Sequence, residues 1–294
     1  MSLREMSLRD LRPGFDTNVL TPIFGVMFRD RFDGRIVSAG LKVRLSDPQQ
    51  PNEAPRQLST NAYGAFACHR LRGINASGGM ASPASTRRYE LTVEDKLGRY
   101  LPMIVPMTVP ADLPQQGLFE PACLAQSPAG ETLAAQPHVP LFCAPARSVP
   151  AGVGCVRVEL RLASAPDQPA AWAWLELRLE ADGRILAQGL ADQRGCALLL
   201  CALPAPVDLP LGGSPAHIAA PLSEWPVRLN AFWSPAIAAA TVPDLCALQS
   251  LPPVPLLQDL SASPPTPLAP ALLLAGSPLV IRASGSSPFV YLAA

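Results

Sequence analysis

Three histidines are all the imidazole in this chain, so their placement limits the acid–base and metal chemistry it can hold. His69 follows Cys68 in a stretch of strand character, and a Cys–His pair can build an activated nucleophile. Neighbouring strand residues point to opposite faces, so these two side chains cannot meet, and an ordinary strand residue with its ring at the surface is expected. His138 and His217 stand in loops, outside any H-x-x-x-H or H-x-x-E-H spacing. Asp30 and Asp33 flank a turn and could begin a calcium site. Such a loop gathers several oxygen ligands from one compact segment, and two carboxylates predict a solvated turn instead. The run Gly73-Ile74-Asn75-Ala76-Ser77-Gly78-Gly79 has the glycines of a phosphate loop without its lysine or its following helix, which leaves a loop tip. Asn75-Ala76-Ser77 is formally a glycosylation acceptor, irrelevant without secretion. No Gly-x-Ser-x-Gly elbow occurs. The expectation is a non-enzyme with no catalytic residue, no metal ligand, no cofactor-binding residue and no cofactor.

Trp172, Trp174, Trp225 and Trp233 offer a different chemistry, the stacking of a sugar on aromatic rings. Alternation puts Trp172 and Trp174 on one strand face, as a platform would require. Glu176 and Arg178 share that face, so packing beneath a neighbouring segment or against a partner subunit is expected. A carbohydrate- or cell-surface-binding module is the alternative.

The elements around these residues are strands. Leu175, Leu177 and Leu179 alternate with Glu176, Arg178 and Glu180, and a helix of this sequence would mix leucine and charge on every face. Asp182-Gly183 supplies a tight turn, Ile185 to Leu190 returns, Ala191 to Gly195 turns again, and Cys196 to Leu203 is apolar enough for a buried strand. Thirty-five prolines exclude long helices from most of the chain. At 294 residues, 49% hydrophobic and 16% charged, there is core material for two domains. Lysine plus arginine equals aspartate plus glutamate at 23 each, which gives no electrostatic ground for nucleic acid or an anionic membrane as partner. Seven cysteines, odd in number and irregularly spaced among apolar neighbours, predict buried thiols in a reducing compartment. The start MSLREMSLRDLRPGF lacks the apolar stretch of a secretory signal, and no window reaches the ~18 apolar residues of a membrane span. A product that is cytoplasmic when synthesised is expected.

In order, the chain is predicted to hold an N-terminal arm (1–20), a first β-sandwich (21–110), a proline-rich linker (111–152), a second β-sandwich (153–235) and a proline-rich extended segment (236–294). The linker is expected to be draped, anchored by Leu118, Phe119, Leu141 and Phe142. The last segment is expected to hold a short helix near Asp244–Ser250 and a closing hairpin, Ala271–Leu274 with Leu279–Arg282, to which Phe289–Leu292 adds. Tyr100 to Val109, rich in proline, suggests an edge strand. The fold class is all-β: two small sandwiches with proline-rich connections, whose backbone groups need partners such as the strand edges of neighbouring subunits.

Two stretches share a signature. Thr60-Asn61-Ala62-Tyr63-Gly64-Ala65-Phe66 and Ala191-Asp192-Gln193-Arg194-Gly195-Cys196-Ala197 each place an Asn or Asp three residues before a glycine that opens an apolar strand. Preceded by Gly34 to Leu45 and Gly183 to Leu190, they resemble the carboxypeptidase-regulatory-like, or transthyretin-like, family of Ig-like β-sandwiches; the second lacks the closing aromatic. That resemblance implies a fold and is nearly silent on function. The segments Pro140 to Arg147, Pro169 to Trp174, Gly189 to Gly195 and Ala271 to Arg282 also resemble uncharacterised components of extracellular, phage-tail-like contractile injection systems. This second resemblance implies a structural protein, a cap, collar or baseplate accessory component. It would be oligomeric in the particle, in contact with sheath, tube, cap or baseplate proteins, and released with the particle by lysis. It also implies that the C-terminal hairpin and the linker are protected from proteolysis only in the particle.

Overall fold

The computed structural model describes residues 24–68, 86–110, 123, 138–203, 224–283 and 287–294. The N-terminal arm, the Gly73–Ser85 loop, His69, His217, Leu118 and Phe119 lie outside them.

The first lobe begins with β1 (Phe24–Val26), β2 (Phe28–Asp30), β3 (Leu41–Ser46), β4 (Arg56–Gln57), β5 (Ser59–Thr60), β6 (Phe66–Cys68), β7 (Thr86–Asp95) and β8 (Met103–Pro110). One antiparallel sheet has the order β4-β3-β7-β8, with Val43 opposite Val93 and Leu91 opposite Val105. A period of two aims Val43, Leu45, Leu91, Val93, Met103, Val105, Met107 and Val109 at one core. Facing them are Val26, Phe28 and Phe66, from β1, β2 and from β6, which pairs with β1. Phe28 and Phe66 meet edge to face at 5.4 Å. Proline-bearing β8 stands at the end of its sheet, as expected of an edge strand.

Within the stretch read as linker, β9 (Val139–Leu141) runs parallel to β2 and sends Val139 and Leu141, followed by Phe142, into the first core. Residues 138–147 are thus woven into the first lobe.

The second lobe contains β10 (Gly154–Leu162), β11 (Trp174–Leu179), β12 (Ile185–Leu190), β13 (Cys196–Cys201) and β14 (Glu224–Phe232). Two short helices follow, α1 (Pro235–Ala238) and α2 (Leu245–Gln249), the second where a helix was predicted. The Asp244 carboxylate caps α2 by accepting from Cys246 N at 2.7 Å and Ala247 N at 3.1 Å. The remainder is β15 (Pro253–Val254), β16 (Leu256–Asp259), β17 (Thr266–Pro267), β18 (Ala271–Leu274), β19 (Leu279–Ile281) and β20 (Val290–Leu292). One sheet is built on β12-β11-β14 and the other on β13-β10. Val156, Val158 and Leu160 of β10 face Leu175, Leu177 and Leu229 of the opposite sheet across a second core.

The predicted closing hairpin does not form. Strand β18 runs antiparallel along the first half of β14, whereas β19 runs parallel to β10 in the other sheet. Strand β20 continues along β10 from Leu160 to Leu162 and pairs with β16, while β15 covers the far end of β14. The proline-rich tail therefore supplies the outer strands of both sheets in its own chain. Pro253 in β15 and Pro267 in β17 are tolerated because those two strands end their sheets and are bonded to one neighbour.

Candidate interaction surface

The repeated signature is a repeated structure. Asn61 Oδ1 accepts from the backbone N–H groups of Tyr63 and Ala65, both at 3.0 Å, and Gly64 closes the turn onto Asn61 O at 3.1 Å. Asp192 does the same with Arg194 and Cys196, both at 2.9 Å, and Gly195 closes onto Asp192 O at 3.0 Å. A third such turn is Asp95-Lys96-Leu97-Gly98, whose carboxylate accepts from Leu97 N and Arg99 N. Gly64, Gly98 and Gly195 have φ of +80°, +67° and +77°, a region open to glycine at little cost.

In each turn the residue before the glycine is thrust outward. In the first lobe those residues are Tyr63, 84% exposed, and Leu97, 63% exposed. Ile36, 45% exposed, completes the group. The loops adjoin: a Cβ on Gly64 would lie 3.0 Å from Ile36 Cγ2, one on Gly40 would lie 2.9 Å from the Leu97 side chain, and Arg99 Nη2 donates to Ala39 O at 2.6 Å. Burial pushes the Asp95 carboxyl up, but the hydrogen bonds from Arg99 and from backbone N–H groups outweigh it and hold the group below the usual carboxylate range. The apolar tip therefore stands on turns fixed by side-chain-to-backbone hydrogen bonds, charge-assisted in the Asp95 turn. Its signal in the sequence is an apolar side chain at the third position of a turn that water would otherwise solvate.

The corresponding turn of the second lobe presents Arg194 and borders a shallow hollow of about 410 Å³ lined by Glu159, Arg161, Pro169, Gln193, Arg194 and Cys196. Its cations are engaged. Arg161 donates to Asp167 O at 2.8 Å and Glu159 Oε1 at 2.7 Å, and Arg194 pairs with Asp192 at 3.2 Å. Burial, reinforced by Asp192 and Glu159, pushes the Cys196 thiol up, which is the opposite of nucleophile activation.

Asp30 corrects the solvated-turn expectation. It is 2% exposed, accepts from Arg147 Nη2 at 2.5 Å, Tyr100 Oη at 2.9 Å and Phe32 N at 2.9 Å, and so is a buried structural ion. Asp33 stays in the turn, 3.2 Å from the Arg35 guanidinium. Arg147 also lies 4.9 Å from the Tyr100 ring centre and donates to Cys143 Sγ at 3.0 Å. Burial, with Asp30 alongside, pushes the Tyr100 phenol up, and burial pushes the Cys143 thiol up to about 11. A second polar chain joins the lobes: Arg31 Nε donates to Gln188 Oε1 at 3.0 Å, Gln188 Nε2 to Glu176 Oε1 at 3.0 Å, and Arg178 holds Glu176 at 2.6 Å.

The tryptophans form no open platform. Trp172 is 2% exposed and holds a left-handed φ of +59°, a strained conformation for a bulky residue, offset by burial and by Nε1 donating to Ala240 O at 2.8 Å. Trp174 packs edge to face on Phe142 at 5.1 Å, and Trp233 is buried with Nε1 donating to Ala171 O at 3.0 Å. Trp225, half-buried, packs on the second core. His138 directly precedes β9, whose Val139 lies opposite Phe28 of β2. Cys68, Cys143, Cys155 and Cys201 are buried thiols as expected and Cys196 is half-buried; Cys123 and Cys246 depart from that expectation and form a disulfide with Cα atoms 5.4 Å apart. Among the described residues no group of three His, Cys, Asp or Glu could hold a metal ion, and no helix is long and apolar enough to cross a membrane.

The fold defines an all-β protein of sandwich-like lobes. No protein-family model matches the sequence, and no curated protein matches it. Among solved structures the chain is similar to the Bacillus anthracis TIE protein, with a TM-score of 0.23 and 10% identity, over 74% of this chain and 29% of that one. It is also similar to a leucine-rich repeat protein from Bacteroides thetaiotaomicron, with a TM-score of 0.17 and 10% identity, over 88% of this chain and 25% of that one. The chain thus spans under a third of either protein, and likenesses this low carry no argument.

Proposed function

We propose that this chain is a non-enzymatic assembly protein, a rigid frame of two transthyretin-like sandwiches that docks on other protein subunits through the tip of its first lobe. The apolar tip of Ile36, Tyr63 and Leu97 carries this reading, because large apolar groups held in water on fixed turns cost free energy until a partner covers them. The resemblance of Pro140 to Arg147 and Gly189 to Gly195 to components of contractile injection systems supports a phage-tail-like particle as the assembly. There the chain would serve as a cap, collar or baseplate accessory component, beside sheath or tube proteins. A sugar-binding role would need an open aromatic platform, and Trp172 is buried.

The test is affinity purification of the tagged full chain from its host, with negative-stain microscopy and mass spectrometry of what accompanies it. Wild type is expected to bring down tubular particles. A Tyr63→Ser, Leu97→Ser double variant is expected to fold with stability within ~0.5 kcal/mol per site and to come down without them. A lone wild-type monomer under particle-forming conditions, or a variant that recovers particles as well as wild type, would overturn the proposal.

A further inference from the structure

Two exposed cations stand beside apolar side chains at the tip of the first lobe: Arg35 precedes Ile36, and Lys96 precedes Leu97. The carboxylates of the same loops are turned to other uses. The Asp95 side chain is fully covered, held by Arg99 Nε at 3.0 Å and by the N–H groups of its own turn. Asp33 accepts from Arg35 N at 3.0 Å, and its second oxygen lies 3.2 Å from the Arg35 guanidinium. Its side chain is 25% exposed against 83% for that of Arg35. Lys96 forms no ion pair among the described residues. In a chain with 23 cations and 23 anions, the tip thus meets water with apolar groups and an excess of positive charge. Every residue of its loops, 30–40, 61–66 and 94–100, is described. The end of the sheet where Thr86 lies opposite Pro110 is nine residues of β7 away from Asp95, ~30 Å along the strand.

We propose that the tip is read by an acidic protein surface: an apolar pocket takes Tyr63 and Leu97, and carboxylates on its rim meet Lys96 and Arg35. This rests on the reading of the tip as the docking site and adds the chemistry of what it docks on. The apolar groups hold the complex once formed, while the cations steer the encounter and fix its register. A second copy of the chain does not fit this role tip to tip. A two-fold contact brings the same patch to both sides, so Lys96 and Arg35 would face their own counterparts. An anionic bilayer fits less well than a protein, because the Asp33 carboxylate beside Arg35 would also face the headgroups. Carboxylates on a folded partner can be placed at the two cations alone.

Panning a random-peptide library on the immobilised full chain supplies a probe of defined sequence. Selected peptides should carry Phe, Leu or Trp flanked by Asp or Glu, and the Tyr63→Ser, Leu97→Ser double variant should not bind them. By fluorescence anisotropy, the best peptide should bind at least ~10-fold more weakly to a Lys96→Glu, Arg35→Glu variant. It should bind wild type ~5-fold more weakly when salt rises from about 0.05 M to about 0.5 M. Arg184→Glu with Arg228→Glu makes the same charge change at exposed positions of the second lobe and should stay within ~2-fold of wild type. Peptides that need Tyr63 and Leu97 but carry no acid, or that ignore the Lys96 and Arg35 changes, overturn the acidic partner and leave tip docking standing. Peptides that ignore Tyr63 and Leu97, or no selected peptide at all, overturn both. Tip-dependent sedimentation with phosphatidylserine vesicles, or tip-dependent self-association in sedimentation velocity, overturns the acidic partner in favour of a lipid surface or a second copy.

Discussion

Arg147→Ala tests whether the first lobe is locked by a buried ion. The Asp30 carboxylate is 2% exposed and the Arg147 side chain 12% exposed, with 2.5 Å between Nη2 and Oδ2. Truncating the arginine leaves Asp30 with a phenol and one backbone N–H, and no counter-charge out of reach of water. Breaking a buried pair from one side costs about 3–5 kcal/mol, because the remaining charge is uncompensated. Arg99, whose guanidinium lies 5.2 Å from the same Tyr100 ring, stays in place, so the lower half of that range, about 3–4 kcal/mol, is expected. At 2–4 °C per kcal/mol for a chain of this size, the melting temperature should fall by roughly 6–16 °C. Arg35→Ala in the same turn is the control: its side chain is 83% exposed beside Asp33, and an exposed pair contributes within ~0.5 kcal/mol. Urea unfolding of Arg147→Ala, Asp30→Asn and the double variant gives the coupling, expected to be at least ~2 kcal/mol. A loss under ~1 kcal/mol for Arg147→Ala, or coupling within ~0.5 kcal/mol, would refute the buried-ion account.

Other substitutions probe the turns and the core. Gly195→Ala should lose roughly 2–4 kcal/mol, since its Cβ would lie 2.3 Å from Leu160 O at a φ of +77°, whereas Gly183→Ala, with open space around it, should lose about 1 kcal/mol. Equal urea midpoints for the two would show that the close approach to β10 is not what that turn requires. Trp172→Ala should cost about 3–5 kcal/mol in the same assay, and a neutral result would return the ring to the surface. Burial raises the phenol groups of Tyr89 and Tyr100 above their ordinary value, so the stability they contribute is full below about pH 10 and is lost as pH rises beyond it. Their phenolate absorbance should therefore appear only as the chain unfolds in alkali, and early ionisation of both would contradict their burial.

Legibility in the sequence followed the physics of each signal. Strands with one wet face, such as Leu175–Leu179 and Val156–Leu162, announce themselves by alternation, and both are strands here. The Asn61 and Asp192 turns were legible because a carboxamide or carboxylate that accepts two backbone N–H groups needs a glycine three residues on. Asp30 was misread because its carboxylate looks, in sequence, like that of any turn; its burial depends on Tyr100 and Arg147, 70 and 117 residues away. The disulfide was hidden for a similar reason: seven irregular cysteines do not say which pair is brought to 5.4 Å. Alternation also cannot report which sheet a strand joins. Ala271–Leu274 and Leu279–Ile281 read as a hairpin because four turn residues separate them, yet they part to opposite sheets.

Under the proposed assembly role, that parting changes how the chain can reach its neighbours. Proline-rich segments with unpaired backbone groups would bind by adding a strand to another subunit, and the tail was expected to do so. Instead β15 and β18 take up the open side of β14, and β19 and β20 that of β10, so these tail strands find backbone partners within the chain. Under the proposed role, recognition falls first to side chains that sit in water at a fixed geometry. Leu272, 45% exposed, and Leu274, 38% exposed, project from the outer face of β18, but Ile36, Tyr63 and Leu97 gather on three braced loops at one end of a lobe. A rigid apolar cluster loses little conformational entropy on docking, which makes the turns that hold Tyr63 and Leu97 the first place to look for the partner.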